Sequence, residues 1–365
     1  MTDQSVYTPS LSGLLLPEGS TARREMPLPA DKRDDRYVAN FDHRTLVYDA
    51  LRTPERISLF CPRLLNLWPL LRDGLRLDGQ PVKLRRHKSL RFERLDLPRG
   101  AQGELSVTIE GQVLPLVQHD AEPEMFAGCN VLIAMVKNTP ADWIIDWVNY
   151  HMSAHGADGL VLIDNGSETQ FRDDLQSRLL PETGLTAAAV VSSPFPYGGN
   201  AGGRFVTPAK FLQVAMLNLM RARFLGQARA ILSVDVDEFV QPLAQSTVFD
   251  LAQNSRMGCL SFTGIWAFAP EATGPTSQRE HTHTDPSNAC KNPKWCIVPG
   301  RPADRFTLAV HRPAGPLFPF THTDDIKYWH FRATTTGWKS KRYQTGGSGK
   351  SDDVLQDTLS THAPR

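Results

Sequence analysis

Cysteine is scarce in this chain, with Cys61, Cys129, Cys259, Cys290 and Cys296 the only five in 365 residues. Their number is odd, they are widely spaced and no two form a C-x-x-C pair, which argues against a disulfide framework or a zinc knuckle and fits a reducing compartment. Long apolar runs are also missing. Nothing approaches the roughly 20 apolar residues that span a bilayer, and the opening Met1-Thr2-Asp3-Gln4 shows no basic-then-apolar leader, so a cytoplasmic protein is expected. Excess charge of either sign is a third absence. Lys and Arg total 40 against 39 for Asp and Glu, which gives no field suited to nucleic acid as a partner.

Phosphate-binding glycine loops are absent as well. Gly198-Gly199-Asn200-Ala201-Gly202-Gly203 fails the G-x-G-x-x-G spacing at both possible starts, and Gly349-Lys350-Ser351 is preceded by Gln344 where a P-loop needs glycine. His281, His283 and Asp285 alternate as zinc ligands can, but a single short loop offers them no supporting shell.

A chain of this length is expected to hold one large domain and an accessory region. Residues 1–36 mix Ser, Pro, Gly and charge without periodicity and read as a mobile arm. Residues 37–125 show short β-type alternations, with Glu110-Gly111 placed to turn a hairpin, and read as a β-rich accessory region. The basic run Arg85-Arg86-His87-Lys88 within it reads as a solvated strand end.

From residue 126 to 345 the rhythm changes. Val131 to Val136 is an apolar run of strand length, followed by Ile144, Trp147, Val148 and His151 at helical spacing. Leu160 to Ile163, Leu185 to Val191 and Ala230 to Val234 supply further buried strands, with helices expected at about 168–180 and 211–220. Strands alternating with helices imply an α/β fold with a Rossmann-like, mostly parallel sheet. Met257 to Phe268 and Phe306 to His311 are expected as later strands, with a long loop at about 270–293, and residues 346–365 read as a flexible tail.

Ligands of an open parallel sheet bind beyond the carboxyl ends of its strands, and the strand ending at Val234 delivers Asp235-Val236-Asp237-Glu238 there. Asp-x-Asp is common by chance, but its position after an apolar strand gives it weight. Two carboxylates one residue apart can hold a hard divalent cation, Mn²⁺ or Mg²⁺, that completes its shell with diphosphate oxygens. Another strand ends in Asp164-Asn165-Gly166-Ser167, where an acidic residue can accept hydrogen bonds from a base or ribose and Ser167 can cap a helix.

These segments, together with Asn130 to Asn138, Trp147-Val148-Asn149-Tyr150-His151 and Phe239, resemble bacterial glycosyltransferases of the family-2-like and family-92-like groups, which have a GT-A fold. The resemblance covers about residues 129–345. Thr139 stands where those relatives commonly have an acidic residue, and Asp146 where they have Glu. The resemblance implies a nucleotide-sugar donor, with Asp164 near the nucleoside, Asp235 near ribose and metal, and Asp237 on the metal. It also implies a carbohydrate or glycolipid acceptor, met peripherally at the inner membrane if membrane-borne, and a role in surface polysaccharide or glycoconjugate synthesis.

Asp235, Asp237 and Glu238 are therefore the expected catalytic group, with Asn165 and Lys137 joining Asp164 at the donor. Segments 294–299, 308–311 and 328–332 resemble C-terminal blocks in which a histidine completes the metal shell, and both His311 and His330 qualify. Arg332, Lys339, Lys341 and Arg342 form a basic cluster suited to the diphosphate. Glu280, Asp285, Asp324 and Asp325 are candidate bases for the acceptor hydroxyl. A nucleotidyltransferase would want a Gly- and Arg-rich loop after the first strand, where Lys137-Asn138-Thr139-Pro140 stands. A non-catalytic sugar- or nucleotide-binding module would not need the acidic set, which is intact here.

Overall fold

The computed structural model describes residues 6–199, 209–337 and 349–363. These residues fall into two compact units, one drawn from Met1–Pro9, Pro123–Ser192 and Leu225–Arg365, the other from Ser10–Glu122 and Ser193–Phe224.

In the second unit, a five-stranded sheet has the order Gln118–Asp120, Asp49–Arg52, Ile57–Pro62, Phe92–Asp96, Arg85–Lys88. A four-stranded sheet contains the hairpin Leu105–Ile109 and Gln112–Leu116. Glu110 and Gly111 turn that hairpin with φ of 46° and 82°, the left-handed pair that matches strand twist. The basic run Arg85–Lys88 is an edge strand rather than merely a solvated end, because Arg86 forks onto the buried Glu93 carboxylate at 2.6 and 2.9 Å.

Residues 6–36 are not an arm. Leu14–Leu15 pairs with Thr45–Val47, and Leu14, Leu16 and Leu28 are buried. Arg24 is fully buried, with Nε donating to Arg63 O at 2.8 Å, its terminal nitrogens donating to Asp42 O and Thr45 O, and Asp42 Oδ1 at 3.3 Å. These contacts join residues far apart in sequence, so local periodicity carries no sign of them. The helix Leu212–Arg223 also belongs to this unit, although it lies between two strands of the other in sequence. Its Arg223 bonds the buried Asp49 carboxylate at 3.3 Å, and Asp49 also accepts from Ser12.

The first unit is an α/β fold. Its elements begin β1 (Asn130–Val136), α1 (Ala141–His155), β2 (Gly159–Asp164), α2 (Thr169–Arg178), β3 (Ala187–Ser192) and β4 (Ala230–Ser233). They continue β5 (Glu238–Val240), α3 (Val248–Asn254), β6 (Cys259–Phe268), β7 (His283–Ile297), β8 (Tyr328–Phe331), β9 (Lys350–Ser351) and α4 (Asp353–His362). The sheet is nine-stranded, in the order β3-β2-β1-β4-β7-β6-β8-β5, with β9 beside β7. Strands β3, β2, β1 and β4 run parallel as expected, and β8 is parallel to β6; β7 is antiparallel to β4 and β6, and β5 to β8. Parallel strands covered on both faces need continuous apolar runs, which Val131 to Val136 and Leu160 to Ile163 supply, all of them buried.

Three expectations fail in this unit. The long loop expected at about 270–293 is, from His283 onward, the strand β7, whose partner β6 lies too far back in the sequence for local composition to announce the pairing. No strand forms at Phe306–His311, where a 3-10 turn at Pro302–Arg305 leads into irregular chain. The described tail is not loose: α4 is capped by Asp352, which accepts from Leu355 N at 3.0 Å, and it buries Leu355 and Leu359. An i, i+4 pair at the end of the sequence is too short to announce a helix by periodicity.

Candidate metal and nucleotide site

Strand β4 ends at Ser233, and the chain turns at once through Asp235-Val236-Asp237-Glu238 into β5. The turn is closed twice. Glu238 N donates to Asp235 O at 3.0 Å, and Asp235 N donates to the Glu238 carboxylate at 2.8 Å. Two neighbouring acidic side chains are thereby directed to one place.

Strand β8 brings the histidine. In the antiparallel pairing of β5 with β8, Glu238 stands opposite His330, and Phe331 N donates to Asp237 O at 2.8 Å. His330 Nε2 lies 3.2 Å from Asp237 Oδ2 and Nδ1 lies 3.7 Å from Glu238 Oε1. One ligand atom from each of Asp237, Glu238 and His330 lies within 4.8 Å of the others. On the Nδ1 side, Cys290 Sγ approaches to 3.3 Å and itself accepts from Tyr328 OH at 3.1 Å, while Trp266 stacks on the imidazole at 4.1 Å. Burial opposes a charge on His330, but the Asp237 carboxylate outweighs it and the imidazole is pushed up to about 10.

Lys294, from β7, joins the cluster, and no motif in the sequence marks it. Its Nζ lies 2.6 Å from Asp235 Oδ2 and 2.6 Å from Glu238 Oε2, and the side chain is 3% exposed. Burial works against its charge, yet the two carboxylates hold it firmly ammonium. Burial pushes the Glu238 carboxyl up against the pull of Lys294, with Asp235 and Asp237 pushing the same way. The signal for Lys294 in the sequence is a lone charge at the head of the apolar run Trp295-Cys296-Ile297-Val298.

Asp164 ends β2 opposite Val136 of β1, and β1 also pairs with β4, so Asp164 and the Asp235 turn lie at the same sheet edge, two strand spacings or about 10 Å across. Its Oδ1 accepts from Ser167 N at 3.0 Å and from Ser167 Oγ. Its Oδ2 is buried with no hydrogen-bond partner among the described residues, a position that a ligand hydroxyl or base N–H would satisfy. Asn165 is buried beside it, with its N–H donating to Val136 O at 2.8 Å. Asn138 takes φ of 50°, which Asn tolerates, and its Oδ1 accepts from Glu168 N while Ser167 Oγ accepts from Asn138 N. The turns after β1 and β2 are thus tied together. Lys137 precedes Asn138, and its carbonyl accepts from Thr336 Oγ1 at 2.9 Å.

The remaining candidates divide. His311 is not at this cluster; its Nδ1 faces Pro293 O at 3.1 Å. Arg332 is half-buried with its guanidinium 5.6 Å over the Trp266 ring. Lys339, Lys341 and Arg342 lie outside the described residues. Asp285 accepts from Ser287, and Asp324 and Asp325 engage His322 and Thr323 in an exposed loop. His281 is buried and donates to Arg332 O at 2.6 Å, which leaves the His281-His283-Asp285 alternation with a packing explanation.

Helix α1 holds β5 in place. Tyr150 OH donates to Val240 O at 2.7 Å, His155 Nε2 donates to the same oxygen at 3.0 Å, and Val240 N donates to His151 Nε2 at 3.3 Å. Val248 N donates to His155 Nδ1, so each imidazole accepts a backbone N–H and must be neutral. Burial lowers His151 from 6.5 to about 3 and His155 to about 4. In the unfolded chain these groups gain protons below about pH 6.5, whereas the folded protein resists until pH 4 or lower. Stability is therefore expected to fall as pH drops from 6.5 towards 4, by about 1.4 kcal/mol per pH unit for each histidine. Urea denaturation at pH 7, 6 and 5 checks this; equal stability at all three values refutes it.

No family model matches the chain. No curated protein matches it. Among solved structures the chain is similar to the apo structure of the WbbM bifunctional glycosyltransferase, at 12% identity and a TM-score of 0.24, over 47% of this chain. The match covers 26% of that protein's length. A likeness of this size leaves function to be argued from the residues.

Proposed function

We propose that this chain is a metal-dependent glycosyltransferase of GT-A type, moving a sugar from a nucleotide-sugar donor to an acceptor hydroxyl. The observation that carries the proposal is the meeting of His330 with Asp237 and Glu238 across 93 residues of sequence, at a sheet edge shared with Asp164. Two carboxylates and an imidazole suit Mn²⁺ or Mg²⁺, with Mn²⁺ the better match to the nitrogen ligand. Asp237 and His330, with Glu238 beside them, would hold the ion, and His330 would give up its proton to do so. When bound, the ion would supply positive charge to the departing diphosphate.

The chain's own residues do the rest. Asp164 accepts from the nucleoside through the oxygen that has no partner among the described residues. Asp235 stands between the nucleoside side and the ion, fixed by Lys294 and by its backbone bond to Glu238. Arg332, Lys137 and Lys339 are assigned to the donor diphosphate. Cys290 and Trp266 keep the His330 ring oriented towards Asp237. The acceptor is assigned as a carbohydrate or glycolipid of surface polysaccharide or glycoconjugate synthesis, reached from the cytoplasmic side. A membrane-borne acceptor is proposed to be met peripherally; no helix among the described residues is long and apolar enough to cross a membrane.

Thermal-shift measurement with nucleoside diphosphates tests the proposal, because a ligand that binds only the native state raises the melting temperature. Uridine or guanosine diphosphate with Mn²⁺ is expected to raise it by several degrees and either component alone by much less. If no nucleoside diphosphate shifts the melting with metal present, the proposal fails.

A further inference from the structure

We infer that Lys294 sets the order in which the site takes its ligands: by occupying Asp235 and Glu238, it makes firm binding of a divalent cation depend on the diphosphate arriving with it. The inference rests on the functional reading above and deepens it.

Three acidic side chains in four residues would ordinarily form a strong cation trap by themselves. Here one cation is already built in. The Lys294 ammonium is nine-tenths or more buried and bridges Asp235 Oδ2 and Glu238 Oε2 at 2.6 Å each. Glu238 is 1% exposed, so its charge demands a partner whether or not a metal is bound. A divalent ion approaching Asp237 and His330 meets Asp235 and Glu238 already sharing one built-in positive charge, and like-charge repulsion from the ammonium besides. A nucleoside diphosphate reverses this balance. Its phosphate oxygens give the ion new ligands and place negative charge near both the ion and the ammonium.

Lysine does this better than arginine would in a purely structural pair. Its compact ammonium reaches two carboxylate oxygens as a point charge, whereas a guanidinium would favour a single planar fork. The bridge therefore fixes two acidic groups of the turn at once and leaves the third to His330.

Mn²⁺ titration followed by the electron paramagnetic resonance of the free ion tests this on the full chain, with and without uridine or guanosine diphosphate. Wild type is expected to bind Mn²⁺ at least about tenfold more weakly alone than with diphosphate. Lys294→Met is expected to bind Mn²⁺ alone at least about tenfold more tightly than wild type and to lose most of the diphosphate dependence. Lys294→Arg, which keeps the charge but favours a fork on one carboxylate, is expected to fall between wild type and Lys294→Met.

Lys294→Met leaves two carboxylates without their cation, so its thermal unfolding is followed in parallel. Mn²⁺ alone is expected to raise its melting temperature more than that of wild type, and rescue of a poorly folded variant by Mn²⁺ alone supports the inference. A variant that Mn²⁺ neither stabilises nor binds more tightly overturns it. Wild type binding Mn²⁺ as well alone as with diphosphate also overturns it, while leaving the functional reading intact. If Mn²⁺ binds neither protein under any condition, the functional reading fails and this inference with it.

Discussion

Asp237→Ala is expected to lower transfer activity by a factor on the order of 10²–10³, the usual size of losing one group that stabilises charge in a transition state. The metal-dependent part of nucleotide binding should vanish with it, while any metal-independent part remains. The fold should survive, because Asp237 is part-exposed and its contribution to the strand pairing is a backbone carbonyl that accepts from Phe331 N at 2.8 Å. Asp73→Ala, an exposed aspartate of the other unit, is the matched control and should change neither quantity. Calorimetry of nucleoside diphosphate binding with and without Mn²⁺ separates the two variants. Metal-dependent binding retained in Asp237→Ala would remove that residue from the metal site.

Arg24→Ala is expected to cost about 3–5 kcal/mol, the range for removing one partner of a buried ion pair. The arginine is fully buried, and without it Asp42 keeps a buried charge while the carbonyls of Asp42, Thr45 and Arg63 lose their donor. Urea denaturation reads the effect directly. A loss below about 1 kcal/mol, the value of an exposed pair, would mean that residues 10–36 are not packed against the rest of their unit.

That second expectation concerns a segment whose sequence suggested the opposite. Leu14, Leu16 and Leu28 are too sparse for any period, and Arg24 reads as one more solvent charge, because its partners lie 18 to 39 residues away. The parallel half of the other unit was legible for the converse reason. Strands buried on both faces must be apolar throughout, so Val131 to Val136 and Leu160 to Ile163 declare themselves, and the acidic residues that end such runs stand out.

The same logic placed Asp164 and Asp235 at one sheet edge but could not choose between His311 and His330. His311 closes an apolar run, and His330 sits within the aromatic segment Tyr328 to Phe331. In the structure the register of β5 against β8 sets His330 opposite Glu238, and no strand forms at Phe306–His311. Lys294 was hidden by its own burial, since a lysine in a strand is ordinarily read as an edge residue. The helix Leu212–Arg223 shows another limit: its apolar face is plain in the sequence, but the unit it packs in is fixed by long-range contacts such as Arg223 to Asp49.

The central claim is that Asp237 and His330 hold a divalent cation together. Pulsed electron paramagnetic resonance of bound Mn²⁺, recorded with nucleoside diphosphate, detects a directly ligated imidazole nitrogen. The expected result is one such nitrogen in wild type and in His311→Ala, and none in His330→Ala. A nitrogen signal that persists without His330, or that is absent from wild type binding Mn²⁺ with full affinity, would contradict the claim.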